Sequence, residues 1–346
     1  METSPYGTTT DGQTVRLFTL TNSSGVKVQL CEYGAIVASV KTPDCSGKFA
    51  NIILAKHSLE GWLENPEYLG ATVGRYGNRI SKGKFSIDGT DYELAKNNDP
   101  GGIPCHLHGG EKGFSHVLWN GEPVIRPKAS GVCFTYYSDA GEEGYPGNLT
   151  AQVTYWLTED NELIFEATAK SDAPTPVNLI NHTYWNLSGQ PTKTILDHEL
   201  QLNANHFLPT SAGLIPTGKK EEVKGTPMDF TKPIRIGERI KNNFEPLKIG
   251  NGYDHCWVLQ EEGSGNLRTT AIVHDPKSGR ILEVKTDQPG VQFYSGNFLP
   301  CKHTGFCLET QAFPDSPNQP DFPNTILRPG ERYSHTCVFK FSTRCD

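Results

Sequence analysis

No stretch of this sequence approaches the roughly 18 to 20 consecutive apolar residues of a transmembrane helix, which excludes a helical membrane span. Basic residues are not in excess: 32 Lys and Arg stand against 39 Asp and Glu, a formal charge of −7 over 346 residues. A general nucleic-acid binder would show a basic patch or stripe, so that class falls away. None of the nine cysteines (Cys31, Cys45, Cys105, Cys133, Cys256, Cys301, Cys307, Cys337 and Cys345) forms a CxxC pair, which removes zinc knuckles and thioredoxin-type motifs. Walker A, GxGxxG, GxSxG and HExxH are all missing. The polar N-terminus lacks the basic-then-apolar pattern of a signal peptide. With the odd, scattered cysteines, this leads us to expect a reduced, cytoplasmic protein, with its Asn-x-Ser/Thr sequons as chance matches.

Helical periodicity is scarce as well. The segments 57–65 and 234–243 each suit a short helix, and neither reaches average helix length. Strand signals, by contrast, run nearly from end to end. Lys84 to Leu94 alternates around Asp88-Gly89, a favoured two-residue hairpin turn. Leu149 to Ala169 reads as a longer hairpin, with Val153, Tyr155 and Leu157 on one face and Leu163, Phe165 and Ala167 on the face of the return strand. Thr270 to His274 and Ile281 to Lys285 make a third hairpin, and Tyr333 to Ser342 closes the chain with alternation. The 16 Phe, 13 Tyr and 5 Trp argue against disorder, and 35 Gly with 24 Pro suit the turns of many strands. With no linker and no repeat, the expectation is all-β: one domain over 1–346, a large antiparallel β-sandwich with few short helices.

Three segments carry candidate chemistry. In Cys105-His106-Leu107-His108-Gly109-Gly110, an extended backbone would put both imidazoles on one face. Such a pair is the beginning of a cupin-type metal site, but Glu111 follows too soon for that pattern; the alternative is that one histidine is simply a surface or core residue. In 177–187, His182 stands among apolar residues, aromatics and amides. It is either a satisfied core histidine or a partly desolvated one whose pKa near neutrality suits proton transfer. In 305–315, Glu309 lies in an otherwise uncharged stretch. If buried, its pKa rises, which turns a carboxylate into a usable base near neutrality; the plain alternative is a strand with its polar face in solvent. Segments 74–80, 252–255 and 290–298 mix polar groups with aromatics and glycine, as a sugar site does.

In combination these blocks are more telling. The order Gly-Arg-x-x-Asn-Arg-Ile (74–80), Leu-His-Gly-Gly with Gly-Phe (107–114), Asn-His-Thr-Tyr-Trp-Asn-Leu (181–187), Tyr-Asp-His (253–255), Gly-Val-Gln-Phe-Tyr-x-Gly-Asn (290–297) and Leu-Glu-Thr-Gln (308–311) resembles the aldose 1-epimerase (galactose mutarotase) family, over residues of about 15 to 342. Segments 141–147 and 314–320 also look familial. The resemblance implies a many-stranded β-sandwich with an open carbohydrate cleft, and interconversion of the α and β anomers of a free aldose such as galactose or glucose. It implies Glu309 as general base, His182 as general acid and His108 as a second imidazole near the ring oxygen. It implies Asn78, Arg79, Tyr184, Asp254 and Gln292 as holders of sugar hydroxyls. It further implies no cofactor, no metal, a monosaccharide as the partner, and a monomer or homodimer. The rival readings are a non-catalytic sugar binder on the same fold, an epimerase of phosphorylated hexoses using Arg75 and Arg79, and a metal-dependent cupin-type enzyme.

Overall fold

The computed structural model describes residues 1–259 and 266–345. Three antiparallel sheets dominate it. The first takes the N-terminal strands in chain order: Glu2–Thr8, Thr14–Thr21, Lys27–Cys31, Ile36–Pro43 and Phe49–Asn51. The second has nine strands, in the spatial order Asn120–Arg126, Ala129–Ser138, Leu149–Thr158, Glu162–Ser171, Tyr333–Thr343, Arg280–Thr286, Arg268–His274, Glu199–Leu202 and Ile234–Arg235. The third carries Glu221–Glu222, His206–Phe207, Asp254–Val258, Gly290–Tyr294 and Cys307–Gln311.

The expected hairpins form where the alternation placed them. Ile87 pairs with Thr90 across Asp88-Gly89. Tyr155 lies opposite Phe165, with ring centroids 5.5 Å apart. Val153, Tyr155, Leu163 and Phe165 are fully buried there, so the alternation reads burial correctly. The final strand explains why this sheet is so wide. Tyr333–Thr343 inserts between the second and third hairpins, pairing Phe165 with Cys337 on one side and Val284 with Phe339 on the other. One hydrophobic core draws side chains from all three sheets, among them Phe18, Phe134, Trp257, Phe293 and Phe339. Each such buried aromatic contributes on the order of 3 kcal/mol relative to exposure.

Two expectations are corrected. The helix in 57–65 exists as Leu59–Leu63, started by the Ser58 side chain. Over 234–243, however, there is no α-helix. Ile234 and Arg235 pair with Glu199 and Leu200, a single 3-10 turn follows at Ile236–Glu238, and the α-helix begins later, at Glu245–Gly250. Pro246 near its start and Asn251 in the left-handed conformation at its end set those bounds. The expectation that all nine cysteines are reduced also fails for two: Cys45 and Cys345 form a disulfide across 300 residues, with Cα atoms 5.5 Å apart. Sequence spacing gave no sign of it, because the sheets bring the two together. Among the described residues, no helix is long and apolar enough to cross a membrane.

Candidate active site

The third sheet supplies one wall. Asp254 lies opposite Tyr294 and Tyr294 opposite Cys307; Cys256 lies opposite Gln292 and Gln292 opposite Glu309. Paired residues share a face and alternate residues return to it, so Asp254, Gln292, Tyr294, Cys307, Glu309 and Gln311 project from one side. The intervening Trp257, Val291, Phe293 and Leu308 project from the other, into the core. The polar face is buried but not self-satisfied. Gln292 Oε1, Glu309 Oε2 and Gln311 Nε2 have no hydrogen-bond partner within the protein. Buried polar atoms are nearly always paired; of these three residues Glu309 lines the cavity, and its free oxygen is what a site for a polar ligand leaves open.

Loops and short strands supply the opposite wall. His182 ends the strand Ile180–His182, which pairs with Ala71–Val73, and its Nε2 lies 3.7 Å from Glu309 Oε2. His108 follows the strand Cys105–Leu107 but takes φ +50°, which breaks the alternation. The same-face expectation for His106 and His108 is therefore corrected. His106 is buried away from the cavity, with Nδ1 2.8 Å from the Ala95 carbonyl and Nε2 2.7 Å from the Tyr145 hydroxyl. Both its nitrogens are engaged, so no chelate forms with His108. His108 instead makes a reciprocal pair with Asn78: its Nδ1 accepts the Asn78 N–H at 3.1 Å, and its own N–H donates to the Asn78 carbonyl at 3.1 Å. In neutral His108 the proton then sits on Nε2, which makes that nitrogen a donor. Gly109 is required here, since a Cβ on it would sit 1.7 Å from the Gly74 carbonyl oxygen at φ +88°.

Arg79 is 8% exposed and lies within 3.8 Å of Asp254 Oδ2, while its Nε donates to Asn98 at 3.2 Å. Gln292 donates to Asp254 Oδ1 at 2.7 Å and sits behind the wall, buttressing that carboxylate. Asn78, Arg79, His108, His182, Tyr184, Asp254 and Glu309 line a cavity of about 340 Å³, together with Tyr68, Asn98, Tyr294, Phe298 and Leu299. Hollows of about 590 and 820 Å³ lie elsewhere; the described residues lining the first include no carboxylate or imidazole, and His116 beside the second forms no ion pair with a carboxylate among the described residues. Arg75 is not in the cavity: its guanidinium donates to the Pro146 and Gly147 carbonyls at 2.8 and 2.9 Å. The two remaining sequence blocks are likewise scaffolding. Arg75 ties down 141–147, and Asp315 accepts the Ser81 N–H at 2.8 Å, holding the strand that carries Arg79.

Burial pushes the Glu309 carboxyl well above the ordinary carboxylate value; the Asp254 charge adds to this and Arg79 opposes it. Burial lowers His182 to about 4 and lowers His108 well below its usual value, the latter aided by His182 and Arg79. The expectation of a near-neutral His182 is thus corrected: the lowering by burial outweighs the opposite effect of the residue's own backbone. The two shifts act in one sense: burial favours a protonated Glu309 and an uncharged His182. Such a pair can take a proton from one oxygen of a ligand and return it to another.

Ligand-type atoms of His108, His182 and Glu309 lie within 4.8 Å of one another, close enough to ask whether they hold an ion. The fixed charge of Arg79, which already acts on His108 and Glu309, disfavours a divalent cation there. Several wall residues escaped sequence reasoning. The Tyr68 ring lies 4.8 Å from His108 and 5.9 Å from His182, yet its segment carries no motif. Tyr294 and Phe298 lie in a block that was singled out, and the period-two register would have placed Tyr294 with Gln292.

The family profile described as Aldose 1-epimerase matches residues 16–340. The galactose mutarotases of Bos taurus and Homo sapiens are each 44% identical, over 95% and 96% of this chain and 94% and 95% of theirs. The aldose 1-epimerase of Escherichia coli (strain K12) is 37% identical over 96% of both chains. In three dimensions the chain resembles the galactose 1-epimerase of Lactobacillus acidophilus NCFM, with a TM-score of 0.87, 29% identity and 99% of both chains covered. It also resembles the aldose epimerase homologue from C. elegans, with a TM-score of 0.85, 28% identity, and 95% of this chain and 99% of that one covered.

Proposed function

The chain belongs to the aldose 1-epimerase family and is an isomerase; from that premise we propose that it interconverts the α and β anomers of free aldohexoses such as galactose and glucose, by acid–base ring opening that needs no cofactor. The observation that carries this reading is the buried Glu309–His182 pair, 3.7 Å apart on the wall of one cavity. In the reactive arrangement the shared proton stands on His182 Nε2 and Glu309 is ionised. Glu309 takes the proton from the C1 hydroxyl, the C1=O bond forms as the C1–ring oxygen bond breaks, and His182 protonates the ring oxygen. Rotation about C1–C2 presents the other carbonyl face. The ring hydroxyl then attacks C1, returning its proton to His182, and the carbonyl oxygen takes one from Glu309. Each atom and proton is restored, so the site is ready for either anomer.

The remaining residues bind and orient. His108 offers its Nε2–H near the ring oxygen. Asn78, Arg79, Tyr184 and Asp254 hold hydroxyls, and Gln292 acts on the sugar chiefly through Asp254, to which it is bonded. Among the residues lining the cavity, Arg79 is the sole Lys or Arg, and it already faces Asp254. That favours a neutral sugar over a phosphorylated one, which calls for further cations. A cytoplasmic location belongs to the same proposal; the seven unpaired cysteines speak for it and the Cys45–Cys345 disulfide against it. The test is polarimetry on freshly dissolved α-galactose and α-glucose, with and without chelator. Accelerated, chelator-insensitive approach to the anomeric equilibrium is expected. Sugar binding without acceleration would identify a binding protein, and chelator-sensitive turnover would identify a metal enzyme.

A further inference from the structure

The proton exchanged by His182 must leave from and return to Nε2, the nitrogen facing Glu309. That requires the other nitrogen, Nδ1, to keep its proton throughout, because the tautomer is set by the partner on the far side of the ring. Catalytic histidines that must be good bases commonly place a carboxylate there. Here the group at Nδ1 is a thiol. Cys307 Sγ lies 3.6 Å from His182 Nδ1, within the reach of a sulfur hydrogen bond, and both side chains are buried. Tyr184 acts on the same thiol, opposing the rise in its pKa. Burial, with the Glu309 charge next in weight, holds the Cys307 thiol well above its usual pKa, so it remains uncharged.

We propose that Cys307 is a positioning residue for the reaction: its sulfur accepts the Nδ1–H of His182 and so keeps Nε2 as the exchanging nitrogen. The backbone oxygen of His182 itself acts on the ring in the same sense, favouring the protonated form, but it already accepts the Gly70 N–H at 3.0 Å. An uncharged sulfur differs from a carboxylate in a useful way. It orients the ring without stabilising the imidazolium, leaving His182 a strong acid toward the weakly basic ring oxygen of a sugar. This assignment rests on the proposed acid–base role of His182. Nothing in the sequence pattern indicates it, since Cys307 reads as one more apolar position of a buried strand.

The test combines a structural readout with kinetics. Long-range ¹H–¹⁵N NMR of the histidine rings in the free protein is expected to show neutral His182 protonated at Nδ1. Cys307→Ala is expected to give a mixture of tautomers and to lower kcat for mutarotation about 3- to 10-fold, the range of one weak hydrogen bond, with KM within about twofold. Cys307→Ser, which keeps a group able to accept the proton on a shorter stem, is expected to fall between the two. An Nε2-protonated His182 in the unmodified protein overturns the proposal, even if the variants fail to fold. So does a Cys307→Ala protein with unchanged tautomer and kcat. Failure of the unmodified protein to accelerate mutarotation would refute the proposed function instead, while the NMR result stands apart from it.

Discussion

In the proposed mechanism, proton occupancy of two side chains governs the chemistry at the residue scale. Glu309 lies above its ordinary value and His182 near about 4, so the pair carries one proton between those two limits. As the pH falls through about 4, His182 binds a second proton while Glu309 stays protonated, and no base remains. As the pH rises through the elevated Glu309 value, the shared proton is lost and no acid remains. The expected profile of kcat/KM is a bell with its acid limb near pH 4 and its alkaline limb above the usual carboxylate range. An acid limb near neutrality, measured by polarimetry corrected for buffer catalysis, would contradict this. Arg79, Asp254 and His108 share the cavity, and the Asp254 and Arg79 charges tune the Glu309 limb in opposite directions. Much of this site is legible in the sequence, because a lone Glu or His in an uncharged stretch is costly to bury without purpose. The sense of the His182 shift was not legible. It depends on how completely the fold buries the ring, which spacing along the chain does not encode.

Element-scale organisation rests on register and its interruptions. Period-two alternation on Asp254–Val258, Gly290–Tyr294 and Cys307–Gln311 sorts one face to the core and one to the cavity, and that sorting can be read from sequence once the strands are paired. The alternation of 105–108 misleads, because His108 leaves the strand with positive φ and turns away from His106. Its conformation is held by the paired bonds to Asn78 and by the tight approach of Gly109 to Gly74. Gly109→Ala is therefore expected to lower stability by roughly 2 to 4 kcal/mol, from steric overlap and an unfavourable φ. It should also weaken sugar binding by displacing His108. Urea unfolding and equilibrium sugar titration check both, and a fully stable, tight-binding variant would show that the turn is not constrained. The missed strand at Ile234–Arg235 has a similar lesson: two residues of edge pairing with Glu199–Leu200 displaced the helix that local periodicity favoured.

For the whole molecule, insertion of the last strand into the nine-stranded sheet ties the C-terminal segment to Glu162–Ser171 and Arg280–Thr286. We take the chain as one domain, as its shared core suggests. The all-β class was legible from alternation and turns, whereas the joining of distant strands was not, since pairing partners are set by tertiary fit. The Cys45–Cys345 bond is another such long-range tie. By loop-closure entropy it stabilises by up to about 5 kcal/mol. Cys345→Ser is expected to lower Tm by several degrees and to leave mutarotation at 25 °C unchanged, because neither cysteine lines the cavity. An unaltered Tm in calorimetry would mean that the terminus is held by strand pairing alone.

The account turns on Glu309 as the base, and one comparison reaches it directly: polarimetric mutarotation of α-galactose by the unmodified protein and by Glu309→Gln, each with its sugar affinity measured by titration calorimetry. Loss of a positioned proton-transfer group costs about 10² to 10⁴ in rate, so the variant is expected to lose at least 100-fold in kcat while binding galactose within a few-fold. Turnover of Glu309→Gln near that of the unmodified protein would contradict the account.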